Sequence, residues 1–270
     1  MKIAVFYENI LEGARASGQN AADALKALRE EGMELIYLSP DSWKRDRDTL
    51  RPLLDQLDMG VEGMHGWCDF PGGDGEERVR EMVDLAAEAG AGNLLVIPGM
   101  LKTGNTLTAL EDMVAGMRKA VRYGREKGVP VLMEDFDGLL SPYNSIQGLD
   151  RFMKAVDGLG CAFDTGNFVM FHEDELAAFE LFADAIRTVH LKDRAAERPH
   201  PGGYANVCAD LKPAYSCAVG SGYVRIREIL RRLKERAYEG NVIVELYGDD
   251  PDYMLDDIVS SIRWVKSAIG

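Results

Sequence analysis

The chain has 270 residues, 46% hydrophobic and 28% charged, with a formal net charge of −14. That size is close to the roughly 250 residues of one α/β barrel, and the acidic balance argues against a binder of nucleic acid, which would carry a basic face. The four cysteines (Cys68, Cys161, Cys208 and Cys217) form no CxxC pair, and neither a signal peptide nor an apolar run near the roughly 18 residues of a membrane span is visible, so a reduced, cytoplasmic protein without a membrane partner is expected.

In chain order, short β-rich runs alternate with longer helical patterns. A strand at 2–7 (KIAVFY) precedes a helix near 19–31, and a strand at 34–38 (ELIYL) precedes one near 46–58. The strand at 61–65 (VEGMH) leads to a helix near 75–90, where Met82, Leu85, Ala86 and Ala89 recur at three- and four-residue steps. Strands at 93–97 (NLLVI), 130–134 (PVLME) and 161–164 (CAFD) are followed by helices near 106–128, 146–157 and 173–184. The last two strands, 187–191 (RTVHL) and 242–246 (VIVEL), lead to helices near 224–237 and 251–268. Gly32, Gly60, Gly90, Gly128 and Gly240 read as helix stops.

Eight strands in strict alternation with helices imply parallel pairing, because parallel neighbours need a crossover. Tyr7-Glu8-Asn9-Ile10 stands where a dinucleotide-binding open sheet would carry a glycine-rich turn. The expected fold is therefore α/β, a single (β/α)8 TIM barrel forming one domain over residues 1–270. The long connection 194–223, rich in glycine and proline, is either a cover over the pocket or a solvated insertion.

Barrel enzymes carry their reactive groups at the C-terminal ends of the strands. Four consecutive strands end on Glu134, Asp164, His190 and Glu245. Gathered carboxylates repel one another, and a cation resolves the repulsion. Three oxygen donors and one imidazole suit one divalent metal ion: Mn, Mg, Co or Zn. Side-chain alternation turns Lys192 toward the same pocket as His190, turns Asp193 away as a loop anchor, and pairs His65 with Trp67. Lys192 either holds a substrate oxygen or neutralises the acidic cluster. His65 and Asn167 either bind substrate or serve the structure, while His172 and His200 are expected at the surface.

The order of VLMED (131–135), FDTGN (163–167), VHLKD (189–193) and VIVELYG (242–248), with the run 219–240 before the last strand, resembles the xylose isomerase-like TIM barrel superfamily and within it the sugar phosphate isomerase/epimerase group. HGWCDFPGG (65–73) is similar to a third-strand loop of that family, less specifically. The resemblance implies a metal site at Glu134, Asp164, His190 and Glu245, with Glu134 and Glu245 as the catalytic acid/base pair. One departure is Asn167, where several ketose epimerases of the family carry histidine.

The expected activity is divalent-metal-dependent isomerisation or epimerisation of a sugar, sugar phosphate or polyol, by proton removal next to a carbonyl through an enediolate. His65, Asn167 and Lys192 are the candidate substrate-binding residues. The alternatives are a dehydratase of the keto-inositol type, in which a hydroxyl then leaves, and a sugar-binding barrel without catalysis. A histidine-rich, multi-metal nuclease fits poorly with four histidines. Pairing of barrels through their helices, common in such enzymes, leaves a homo-oligomer open.

Overall fold

The computed structural model describes residues 1–102 and 106–270. Strands and helices follow one another as β1 (Ile3–Phe6), α1 (Tyr7–Ala16), α2 (Ala21–Glu31), β2 (Leu35–Leu38), α3 (Pro40–Gln56), β3 (Gly60–Trp67), α4 (Gly75–Ala89), β4 (Leu94–Ile97), α5 (Thr106–Lys127), β5 (Val131–Met133), α6 (Ile146–Ala155), β6 (Gly160–Asp164), α7 (Glu175–Phe182) and β7 (Ile186–Leu191). Three short strands come next, β8 (Asp193–Ala195), β9 (Ala205–Val207) and β10 (Pro213–Cys217), and then α8 (Ile226–Glu235), β11 (Asn241–Val244) and α9 (Met254–Ile269). Strands β1 to β7 and β11 close into a parallel barrel in which β11 bridges β7 and β1. The expected (β/α)8 barrel is therefore the fold.

Two apolar layers hold it together. Val5, Ile36, Met64, Leu94, Val131, Phe163, Val189 and Val244 point outward into the shell of helices. Ala4, Phe6, Tyr37, Leu95, Leu132, Ala162 and Ile243 point inward and fill the barrel. Because side chains alternate along a strand, the residue two places beyond an inward apolar one faces inward too. Glu134, Asp164 and Glu245 stand at that position after Leu132, Ala162 and Ile243.

Local chemistry sets most boundaries. Ser39 accepts from the Ser42 amide at 3.1 Å with Pro40 at the first helical position, so α3 starts six residues before the expected 46. Helix α1 springs directly from β1 on Phe6, without a side-chain cap, which is why no start signal betrayed it. Gly32, Gly90 and Gly128 adopt the left-handed conformation expected of stops, at φ of 114°, 69° and 75°. At the other two ends that role belongs to Asp58 and Ala237, at φ of 50° and 52°, not to Gly60 and Gly240.

The 194–223 connection is folded. Strands β8, β10 and β9 form an antiparallel sheet, and Asp193 anchors it by accepting from the backbone amides of Arg194, Gly220, Gly222 and Val224 at 2.8–3.2 Å. The expected loop-anchoring role of Asp193 is what its contacts show. Among the described residues no helix is long and apolar enough to cross a membrane.

Candidate functional site

A cavity of about 580 Å³ opens at the C-terminal ends of the barrel strands, lined by Glu134, His190, Lys192 and Glu245, with Phe6, Leu95, Phe136 and Tyr247 among its apolar walls. Asn206 and Val207 of β9 also line it, so the insertion forms part of the wall. The strands that end on the four expected ligands are neighbours in the order β11, β7, β6, β5. Donor atoms of Glu134, Asp164 and His190 lie within 4.8 Å of one another. Glu245 adjoins them through an Oε2 that is 3.1 Å from His190 Nδ1, and Glu134 Oε2 is 3.2 Å from the same nitrogen.

Lys192 completes the group. Its Nζ is 2.7 Å from Glu245 Oε1 and 3.1 Å from Asp164 Oδ2, and it donates to Asn167 Oδ1 at 3.1 Å. Asn167 in turn donates to the carbonyl of Asp135 at 2.8 Å. The Asn167 amide is thus spent at both ends on protein partners, and it sets the position of Lys192. Asp164 is fixed by the Gly166 amide, which donates to its Oδ1 at 2.7 Å.

Burial opposes protonation of His190, but Glu134 and Glu245 beside the ring outweigh it and raise its pKa to about 10. Burial also raises the Asp164 carboxyl to about 7, although Lys192 beside it pulls the other way. Glu245 moves in the opposite direction: burial would raise it, and Lys192 and His190 hold it well below the ordinary carboxylate range. Three carboxylates thus face two cationic groups, one of them a histidine that is a proton carrier only while no metal takes its place.

Glu134 Oε2, Asp164 Oδ2 and both ring nitrogens of His190 are buried and have no hydrogen-bond partner. Their close contacts are charge pairs without the directionality of hydrogen bonds. Buried donors and acceptors seldom stay unpaired, and this set of oxygens and one imidazole has the chemistry of a divalent-cation site. The residues fit such an ion.

Around this floor lies a second ring of side chains. His65 stacks on Tyr37 with ring centroids 5.3 Å apart, and its Nε2 is 3.6 Å from Glu8 Oε2. Glu8 accepts from the Ser39 amide and the Ser42 hydroxyl at 2.9 and 2.6 Å. Burial would raise its carboxyl, yet His65 and these donors bring it down to about 2. Trp67, two residues beyond His65 on β3, is 40% exposed and packs edge-on against Phe136 of the cavity wall.

Sequence reasoning passed over Glu8, Asp137 and Arg194. Arg194 is fully buried, donates to Asp137 Oδ2 at 2.8 Å and reaches the Gly166 carbonyl at 3.3 Å. The signal available for it was the inward period of β7, which continues through His190 and Lys192. His172 is at the surface as expected, while His200, also expected there, is half-buried and bonded to Asp257 at 2.8 Å.

A profile of the xylose isomerase-like TIM barrel family matches residues 7–268. Among curated proteins the chain is similar to an inosose dehydratase of Lacticaseibacillus casei, 26% identical over 52% of this chain and 47% of the relative. The match thus spans about half the length of the curated relatives. Among solved structures, one of the IOLI protein with a zinc atom superposes over 100% of this chain and 98% of its own, with a TM-score of 0.76 and 15% identity. A D-allulose 3-epimerase from Methylomonas sp. covers 99% of this chain and 98% of its own at a TM-score of 0.74 and 16% identity.

Proposed function

The chain belongs to the xylose isomerase-like TIM barrel family, and we propose that it is an enzyme that removes a proton from the carbon next to the carbonyl of a keto-sugar or keto-polyol, leading to isomerisation or epimerisation. The observation that carries this reading is the set of unpartnered donor atoms on Glu134, Asp164 and His190 at the base of the cavity, with Glu245 beside them. Glu134, Asp164, His190 and Glu245 would hold a divalent ion, which when bound supplies Lewis-acid stabilisation of negative charge developing on substrate oxygens.

The rest of the chemistry belongs to the chain. Glu245 is kept ionised by Lys192 and is the base that takes the carbon-bound proton. Glu245 itself returns that proton to the neighbouring carbon, or Glu134, whose Oε2 meets the same His190 nitrogen, delivers one it already holds to the opposite face. Positioning matters because a carboxylate so heavily paired is a weak base and depends on an oriented proton. Lys192, steadied by Asn167, offers its ammonium to a substrate oxygen beside Glu245, and the His65–Glu8 pair meets a hydroxyl farther out. The apolar walls of Phe6, Leu95 and Phe136 exclude water from the intermediate. A cavity of about 580 Å³ is within the usual range for a small-molecule site.

A second reading is a dehydratase, favoured by the inosose dehydratases among the curated relatives. Proton removal begins that reaction as well, and a hydroxyl then departs. Incubating the Mn²⁺-loaded protein in deuterium oxide with a panel of ketoses and keto-inositols tests both. Deuterium at carbon with unchanged composition supports the isomerase or epimerase, and a product lighter by one water supports the dehydratase. Ligand-induced stabilisation without deuterium uptake would leave a sugar-binding barrel and overturn the enzymatic reading.

A further inference from the structure

A second three-donor cluster lies where the insertion meets the end of the barrel. His200 comes from the insertion, Asp249 from the connection between β11 and α9, and Asp257 from the first turn of α9. One donor atom from each lies within 4.8 Å of the others. His200 Nε2 is 2.8 Å from Asp257 Oδ2, and the imidazole is stacked flat on Tyr253 with centroids 4.1 Å apart, which fixes the direction of that nitrogen. Asp249 is only 5% exposed; its Oδ1 accepts from the Asp250 amide at 2.9 Å, and its Oδ2 is buried with no hydrogen-bond partner. Among the described residues no lysine or arginine forms an ion pair with Asp249 or Asp257, and His200 is the partner of Asp257.

We propose that His200, Asp249 and Asp257 form a second divalent-cation site, separate from the barrel mouth, that staples the insertion to the barrel. Two carboxylates side by side with one of them buried need a proton or a cation between them. A cation held by Asp249, Asp257 and His200 together would satisfy the Asp249 oxygen in place of a proton shared with the adjoining Asp257 carboxyl, whereas the His200–Asp257 contact by itself leaves it unpaired. One imidazole and two carboxylates match the ligand set of Zn²⁺. The staple would act on the cavity wall. Just past His200 the insertion is laced to the same connection, with the Gly202 amide donating to Asp250 Oδ2 at 2.6 Å and the Tyr204 amide to the Gly248 carbonyl at 3.1 Å. Asn206 and Val207, which line the cavity, follow directly.

The test counts zinc bound per chelator-stripped chain by equilibrium dialysis, in the whole protein and in Asp164→Asn. Adding Asp249→Asn should lower the count by one ion in both backgrounds, and His200→Ala, at a half-buried position, should do the same. In parallel, Zn²⁺ should slow protease cleavage within 194–223 in Asp164→Asn but not in Asp164→Asn/Asp249→Asn. Cooperative melting of each metal-free variant secures that it is folded. An unchanged count on adding either substitution, or zinc protection that survives Asp249→Asn, overturns the proposal. This result is independent of the deuterium experiment, so the two readings can fail separately.

Discussion

The inside of the barrel carries buried acids at two levels, and their environments differ. At the mouth, Glu134, Asp164 and Glu245 crowd around His190 and Lys192, and charge is met with charge. Toward the opposite end, near the first residues of β4 and β11, Glu62 is buried and both its oxygens are 3.2 Å from the Asn93 amide nitrogen. No lysine or arginine pairs with it among the described residues, and burial raises its pKa, only partly offset by Thr188 and Asn93. The same side chain therefore has its pKa lowered in Glu245 and raised in Glu62, and environment alone makes the difference. A buried carboxyl among neutral partners is a structural group, whereas one held ionised against cations in a cavity is equipped for chemistry.

Making the same substitution at both levels separates them most sharply. Glu245→Gln should lower turnover of a verified substrate by about 10²–10⁴-fold, the usual worth of a general base, while Glu62→Gln should leave steady-state rates close to those of the parent. Equal losses in both variants would erase the distinction.

Next in size is Lys192→Met. It leaves Asp164 and Glu245 buried without their ammonium, and stripping one partner from a buried ion pair costs about 3–5 kcal/mol. Urea denaturation of the metal-free variant should show a drop of that order, and a change within error would mean that the lysine is not neutralising the cluster. Metal removal comes third. Chelation should lower the melting temperature of the parent and of Glu62→Gln alike, and an ion present at 100 times its dissociation constant accounts for about 2.7 kcal/mol. Asp164→Asn should respond less; an undiminished response would mean that the mouth is not where the stabilising ion sits.

The smallest effect concerns pH. A carboxyl whose pKa is higher in the folded chain than in the unfolded one stabilises the fold below the ordinary value of 4.5, and that contribution fades as pH rises through the folded pKa. Replacing Glu62 with Gln should therefore flatten the fall in stability on the alkaline side of 4.5, as read from denaturation midpoints across pH. A steeper fall in the variant would reverse the assignment.

The alternation of apolar runs was enough to reveal the eight barrel strands and their parallel pairing, since a strand's face repeats every second residue and is written locally. The same local rule exposed Glu134, Asp164, His190, Lys192 and Glu245, each standing at the inward position of a strand end. Tertiary structure alone decided the partners. It turned Asn167 into the support of Lys192, sank Arg194 against Asp137, joined Glu8 to His65, and drew His200 to Asp257 across 57 positions of sequence. The uncapped start of α1 and the small sheet of β8, β9 and β10 were hidden for a similar reason: nothing within a few residues specifies them, and their stability comes from surfaces supplied by distant parts of the chain.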